Sequence, residues 1–431
     1  MRVGFYFDAS HIAPWDWERV LQGKTPLSGT DRMVLRIAHE VARSTSIDVF
    51  LLTTAPGRSA GATPVVQVTA GHFPEGVSAS HTRDLDVLVF INTKRSGIVE
   101  GVRLADRMGQ TCIAWCQNGP WQRMAALYAE TTSIERVLCV SAPQADAYRD
   151  RPVFEKMEVL HNAVNTRWYA PSSRASVDGN TVCYLGALTP SKGFHHLART
   201  WPSVRATIPD ARLVVIGSAR LYDRSLELGP LNVAEPEYEH EHIIPHLGSS
   251  RGQIEEMQGV SFRGLLPPLQ VRDILQNASV GIVNPNVQGS VETFCVSAVE
   301  MQATETPVIG GARRGLRETV RDGETGVLLN TPDKLPSAIH RCLTNPESTR
   351  HMGRRGRKMV ERRFELSRIV GHWEQLLFQT ARGTPPCPPA FSIRRATPKT
   401  FLRESIRRLH TLAGPGNRLP ILDDVTDYFR G

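Results

Sequence analysis

The feature that most constrains this chain is an alternation of short apolar runs with amphipathic stretches. Runs rich in β-branched residues occur at Val3 to Phe7, Ile47 to Leu52, Val87 to Ile91, Cys112 to Trp115 and Val137 to Val140. Between them lie segments such as Asp31 to Arg43, where Met33, Val34, Ile37, Ala38 and Val41 recur at helical spacing. Continuous apolar runs bounded by turns are what strands buried on both faces require, and the intervening amphipathic helices cover those faces. The pattern therefore predicts βαβ units on a parallel sheet, an α/β architecture.

The alternation then restarts. Ala170 to Asn180 (APSSRASVDGN) has the composition of a linker, and apolar runs resume at Thr181 to Leu185, Arg212 to Ile216, Val260 to Phe262, Val280 to Val283, Pro307 to Ile309 and Gly326 to Leu329. A length of 431 residues agrees, being well beyond the roughly 250–300 at which one core stops growing. We expect a first Rossmann-like domain over 1–170, a second over 171–365, a closing helix over 366–382 and an extension over 383–431. The last contains the helix-breaking GTPPCPP of Gly383 to Pro389 and a basic amphipathic stretch, Pro398 to Leu412. Doubly wound domains place ligands at the carboxyl ends of their strands, so a cleft between two of them is where chemistry is expected.

The formal charge of +8 is unevenly placed. From Thr349 onward there are 17 Lys plus Arg against 7 Asp plus Glu, a net +10, which leaves 34 basic and 36 acidic residues before it. A groove that follows nucleic-acid phosphates draws cations from the body of the fold, so no nucleic-acid partner is expected. The basic stretch at the end suits either packing against the protein or a weak peripheral contact with an anionic membrane. Seven scattered cysteines without a CxxC pair fit free thiols in the cytoplasm, and no signal peptide or 18-residue apolar run is visible.

Two segments have the makings of chemistry. In Tyr184 to Gly193 (YLGALTPSKG), Gly186 follows a strand and Lys192 stands at a helix start, an arrangement suited to a phosphate. A solvated lysine is the alternative. In Val291 to Glu300 (VETFCVSAVE), Glu292 and Glu300 are eight residues apart, about two helical turns, so both address one side of a helix and face one cleft. The amides of Thr293, Phe294 and Cys295 would open that helix and could receive an anion. The plain alternative makes Glu292 a helix-start acid and Glu300 a surface residue. Glu235 to His246 (EPEYEHEHIIPH) reads as a solvated acidic loop shaping the cleft in preference to a metal site.

From Val137 to about Phe378 the chain resembles the retaining glycosyltransferases of family 4, which have the GT-B fold of two Rossmann-like domains and use nucleotide sugars. The resemblance rests on ordered segments: VLCVSAPQADAY with EVLHNAVNTRWYAP, VCYLGALTPSKG, LVVIGSA, VSFRGLLPP, VGIVNPNVQGSVETFCVSAVEMQATETPVIGG and GLRETVRDGETGVLL. It implies a metal-independent enzyme without a cofactor that transfers a sugar from a nucleoside diphosphate to an unidentified acceptor, such as a glycan or a lipid-linked precursor. Related alternatives are a nucleotide-sugar epimerase or hydrolase, and a non-catalytic nucleotide-sugar-binding scaffold. By the same resemblance Glu292 addresses the donor sugar, Glu300 the ribose, and Lys192 the leaving diphosphate with help from Thr293, Phe294 and Cys295. Gly186, Gly217, Gly264 and Leu265 border the nucleotide, and Gly29 of TPLSGTDRMVLRIAHEVAR comes near the diphosphate. The chain departs from the family pattern in three respects: Ala187 replaces a phosphate-binding Arg, Thr293 and Cys295 replace glycines, and Gln117 and Asn118 stand where many relatives carry an acceptor-side His. Arg313 or Arg314 is a candidate substitute for the missing cation.

Overall fold

A computed structural model of the chain describes residues 1–59, 61–93, 97–172, 179–287, 292–393, 396–413 and 421–422. Among these the apolar runs form two separate, wholly parallel sheets. The first contains β1 (Arg2–Phe7), β2 (Asp48–Thr53), β3 (Val66–Thr69), β4 (Val87–Ile91), β5 (Cys112–Cys116), β6 (Ile134–Cys139) and β7 (Met157–Val159), in the order β3-β2-β1-β4-β5-β6-β7. The second contains β8 (Thr181–Leu185), β9 (Arg212–Ile216), β10 (Val260–Gly264), β11 (Val280–Val283), β12 (Val308–Gly311) and β13 (Gly326–Leu329), in the order β10-β9-β8-β11-β12-β13. In both, the chain moves outward from the first strand in one direction, then returns to its other side. This reversal opens a crevice beyond the carboxyl ends of β1 and β4, and another beyond β8 and β11.

Two strands escape the apolar pattern, and both are edges. β3 is four residues long with Val66 half exposed, and β7 is three residues long, so neither needs a continuous buried run. Part of the polar stretch between the sheets, residues 173–178, lies outside the described residues.

Helix Leu366–Ala381 runs back over the first sheet. Trp373 is fully buried there, with its ring centroid 4.7 Å from that of Trp115 and 5.8 Å from that of Phe5. Its neighbourhood is joined to the chain just before β8 by backbone hydrogen bonds from Val164 to Phe364 and from Leu366 to Val164, at 2.8 and 3.0 Å. Glu318 of the second domain ties the halves together. Its buried carboxylate accepts from His161 Nε2 at 2.8 Å, the Ala142 amide at 2.8 Å and Arg363 Nη2 at 3.0 Å. Burial alone would raise its pKa, but these partners outweigh that and hold it below the usual carboxylate value. Among the described residues no helix is long and apolar enough to cross a membrane, and the seven cysteines are free, six of them buried.

Candidate active site

At the switch point of the second sheet, β8 is followed by Gly186 and β11 by Asn284. Three glycines here follow or end adjacent strands. Gly186 N–H donates to Ile216 at 3.1 Å, and Gly217 N–H donates to Gly264 at 2.9 Å. Gly217 has φ 142°, and a Cβ there would lie 1.8 Å from the Gly186 carbonyl oxygen, so no side chain fits. This close approach leaves a bare backbone wall beside the segment that carries Lys192.

Lys192 and Glu292, a hundred residues apart, meet in this crevice. Lys192 Nζ donates to Glu292 Oε1 at 2.5 Å, and Asn284 Nδ2 donates to the same oxygen at 2.9 Å. Asn284 stands in the left-handed region (φ 29°), which asparagine tolerates better than most residues, and the turn directs its amide at the carboxylate. Burial favours the neutral Lys192, yet the charge of Glu292 more than compensates, so the ammonium pKa is raised. A second line of contacts leads away from this pair. Asn286 N–H donates to Asn284 Oδ1 at 3.3 Å, and Asn286 Oδ1 lies 3.2 Å from His196 Nε2.

The local structure around Glu292 differs from the sequence expectation. The helix opens at Val296, with Cys295 as its flanking residue, so Thr293, Phe294 and Cys295 precede the first turn. Cys295 takes φ 72°, the conformation glycine adopts freely, at a cost of about 1–2 kcal/mol per residue. Thr293 is clamped to the first domain: its hydroxyl donates to the Gln117 carbonyl at 2.7 Å, and its carbonyl accepts from Ser141 Oγ at 2.5 Å. Phe294 is buried between the rings of His161 and Phe364.

Glu300 does not share a face with Glu292, as the eight-residue spacing had suggested. It is buried on the helix Val296–Ala303, where its Oε1 accepts from Tyr169 Oη at 2.6 Å and from Arg32 Nη2 of the first domain. Burial raises the Tyr169 hydroxyl pKa, and the neighbouring carboxylate raises it further. Both hydrogen bonds to that oxygen come from the first domain, which supplies the compensation a buried carboxylate needs. Gly29 opens the helix Gly29–Ser44, capped by Ser28 Oγ, and a Cβ there would lie 3.6 Å from Val296. The first domain's loop thus abuts the start of the Glu300 helix.

Leu265 lines a cleft of about 210 Å³ between the domains, with Tyr222 and Leu221 beside it and His11, Ser28 and Asp31 opposite. His11 and Asp31 also line a larger cavity of about 370 Å³ at the switch point of the first sheet, together with Asp8, Asn92, Gln117 and Asn118. Sequence reasoning did not find these two residues. His11 Nε2 lies 3.0 Å from Asp31 Oδ2, and Ser28 Oγ donates to that oxygen at 2.7 Å, so the imidazole is oriented by a buried acid. Only the helix-start pattern Ser28-x-x-Asp31 hinted at it. Gln117 is committed elsewhere, since its side-chain amide exchanges two 2.8 Å hydrogen bonds with Asn162.

Ala187 is buried and offers nothing to an anion. Arg313 is half-buried, and its Nη1 donates to the Val287 carbonyl on the loop that follows β11, while Arg314 is exposed. The chain's Asp-x-Asp sequence, Asp84 to Asp86, precedes β4 and so lies at the amino end of the sheet, away from the crevice. The segment 235–246 is not a solvated loop. It forms the short helices Pro236–His242 and Ile244–Leu247, and Glu239 is fully buried, accepting from the amides of Leu231, Val233 and Ala234 at 2.6–2.8 Å. Three orphan donors in one turn need a carboxylate, which explains an acid in the core.

Beside it, Tyr238 Oη accepts from the His195 amide at 2.9 Å and donates to His195 Nδ1 at 3.0 Å, which favours the unprotonated ring nitrogen. Burial, then His196, His242 and Arg199, lower the His195 pKa to about 4. A lowered pKa means the folded state prefers neutral His195, while the unfolded chain binds the proton near the ordinary value of 6.5. Stability from this group is complete above about pH 6.5 and is lost as pH falls toward 4. Because the ring is only partly buried, solvent screens the effect, and the loss is about 1–2 kcal/mol. Urea unfolding at pH 7 and pH 4.5 should show it, with His195→Gln flattening the dependence.

Comparisons with known proteins bear on the fold that holds these residues. Residues 169–359 match the family described as glycosyl transferases group 1. The D-inositol 3-phosphate glycosyltransferase of Streptomyces coelicolor is 28% identical over 247 residues, 51% of this chain and 50% of that protein. The glycogen synthase of Mycobacterium tuberculosis is 22% identical over 235 residues, 54% and 50% of the two chains. The chain therefore spans about half the length of these curated relatives. Among solved structures, a glycosyltransferase from Rickettsia africae superposes with TM-score 0.66 at 11% identity, covering 88% of this chain and 98% of that one. HepE of Anabaena in complex with UDP-glucose gives TM-score 0.60 at 16% identity, covering 88% and 100%. The fold is thus that of the GT-B glycosyltransferases, two Rossmann-like domains, and residues 169–359 within it are similar to the glycosyl transferases group 1 family.

Proposed function

We propose that this chain is a retaining, metal-independent glycosyltransferase of the family 4 type, moving a sugar from a nucleoside diphosphate to an acceptor hydroxyl. The observation that carries this reading is the Thr293 clamp. Thr293 adjoins Glu292 in sequence and is hydrogen-bonded to Gln117, which lines the first-domain cavity, so the segment that carries the donor-side carboxylate is tied to a residue of that cavity's wall. Lys192 supplies fixed positive charge where the leaving diphosphate would gain negative charge, the role of preorganised electrostatic stabilisation. His11, oriented by Asp31 where the two cavities meet, would hydrogen-bond the acceptor hydroxyl. The solved UDP-glucose complex of HepE supports a nucleotide-sugar donor. A polyhydroxylated acceptor, a glycan or a lipid-linked precursor, suits the Asp and Asn side chains of the first cavity. The free thiols fit a cytoplasmic setting.

The test is donor turnover by the purified chain with UDP-, GDP- and ADP-glucose against a panel of sugar and polyol acceptors, with product anomers assigned by NMR. Transfer with the donor's anomeric configuration preserved, and unchanged by EDTA, is the expected result. An inverted product would refute retention, and EDTA sensitivity would refute metal independence. Nucleotide release without any acceptor would instead make it a hydrolase, and binding without turnover a scaffold.

A further inference from the structure

The helix Pro398–Ala413 is packed the wrong way round for a helix that stabilises a globular core. Its charged side faces the first domain: Arg403 is 9% exposed and pairs with Asp150, while Glu404 is 6% exposed and accepts from Arg149 Nη1 at 3.1 Å. Arg407 reaches Glu155 at 3.1 Å. Its large apolar side chains face outward, with Phe401 56%, Leu402 47%, Leu409 53% and Leu412 83% exposed, and Ile393 just before the helix is 77% exposed. An amphipathic helix ordinarily buries its apolar stripe against its own protein. Here ion pairs hold the helix in place and present that stripe to the surroundings, and a contiguous exposed apolar patch of this kind marks an interaction surface.

We infer that this face seats the protein on an anionic lipid surface, a property independent of the proposed transfer reaction. Charge decides between the occupants. The exposed cations of the helix are Lys399 and Arg408, the latter also reaching Glu404 Oε1 at 3.1 Å; its one acid, Glu404, is buried, and four basic residues against that acid give the helix a net +3. A second copy docked through the same face in a two-fold dimer would bring these cations together. An anionic headgroup layer attracts them while accepting the leucine and phenylalanine side chains below it. The helix, 16 residues and so about 24 Å long, would lie along the surface.

The experiment is co-sedimentation of the full chain with vesicles of phosphatidylcholine alone and of equal parts phosphatidylcholine and phosphatidylglycerol. Binding to the anionic vesicles is expected. Leu409→Ser with Leu412→Ser should weaken it at least about tenfold, and Lys399→Gln with Arg408→Gln should remove most of the preference for phosphatidylglycerol. All four side chains are exposed, so the melting temperature should not move and a failure to fold is detectable. Absence of vesicle binding, binding equal in the double-serine variant, or a solution dimer that this variant dissolves would each overturn the inference.

Discussion

Glu292→Gln lowers kcat/KM for sugar transfer by about 10²–10³-fold and leaves nucleoside-diphosphate affinity unchanged or tighter. The two effects have opposite signs because the carboxylate has two relations to Lys192. It holds the ammonium at 2.5 Å, and a diphosphate must compete for that charge. Glutamine keeps an oxygen for Asn284 and Lys192 but removes the Coulombic attraction, so the ammonium turns more readily to the diphosphate. What is lost is a fixed negative group beside the reacting sugar. Glu292→Ala removes the hydrogen bonds as well and should abolish transfer, with the fold intact because the side chain belongs to the crevice and to neither core. Steady-state kinetics, calorimetric titration with UDP, GDP and ADP, and thermal melts read the three quantities separately. Turnover near that of the parent in either variant would remove Glu292 from the mechanism.

How far the site was legible in the sequence follows from the range of each interaction. The paired sheets could be read because strands buried on both faces write themselves as continuous apolar runs, as Val87–Ile91 does with all but its last residue buried. β3 and β7 could not, because an edge strand satisfies weaker demands. Gly217 was legible only through the family resemblance of LVVIGSA, and its reason, the Gly186 carbonyl oxygen 1.8 Å from where a Cβ would stand, is a tertiary fact. Glu300 shows the limit. Helical spacing places it two turns beyond Glu292, but the helix opens at Val296 and leaves Glu292 outside it, so the shared-face argument loses its premise. Its partner Arg32 is 268 residues away, and no local pattern announces such a contact. His11 was missed for the same reason, since its meaning comes from Asp31, twenty residues later, and from the cavity both line. In the tail, periodicity found the helix Pro398–Ala413 but not which side faces the protein. Asp150, Glu155 and Arg149, far earlier in the chain, decide that.

Lys192→Met raises the dissociation constant for UDP by about 10–100-fold, the equivalent of one charge-assisted hydrogen bond worth about 1.5–3 kcal/mol. The end of β8 supplies no second cation, since Ala187 is buried there, and Arg313 is engaged with the Val287 carbonyl. Arg313→Ala should therefore change affinity by less than about threefold. Part of the Lys192 effect comes from Glu292, which the substitution leaves as a half-shielded carboxylate facing the incoming diphosphate. That repulsion can be isolated. If the pair works as described, Lys192→Met with Glu292→Gln binds UDP more tightly than Lys192→Met alone, giving a coupling of about 0.5–3 kcal/mol in the double-mutant cycle. Strict additivity would mean that the interaction between the two groups is the same with and without the nucleotide. Unchanged affinity in Lys192→Met would assign the diphosphate to another residue, with Arg313 the first to test.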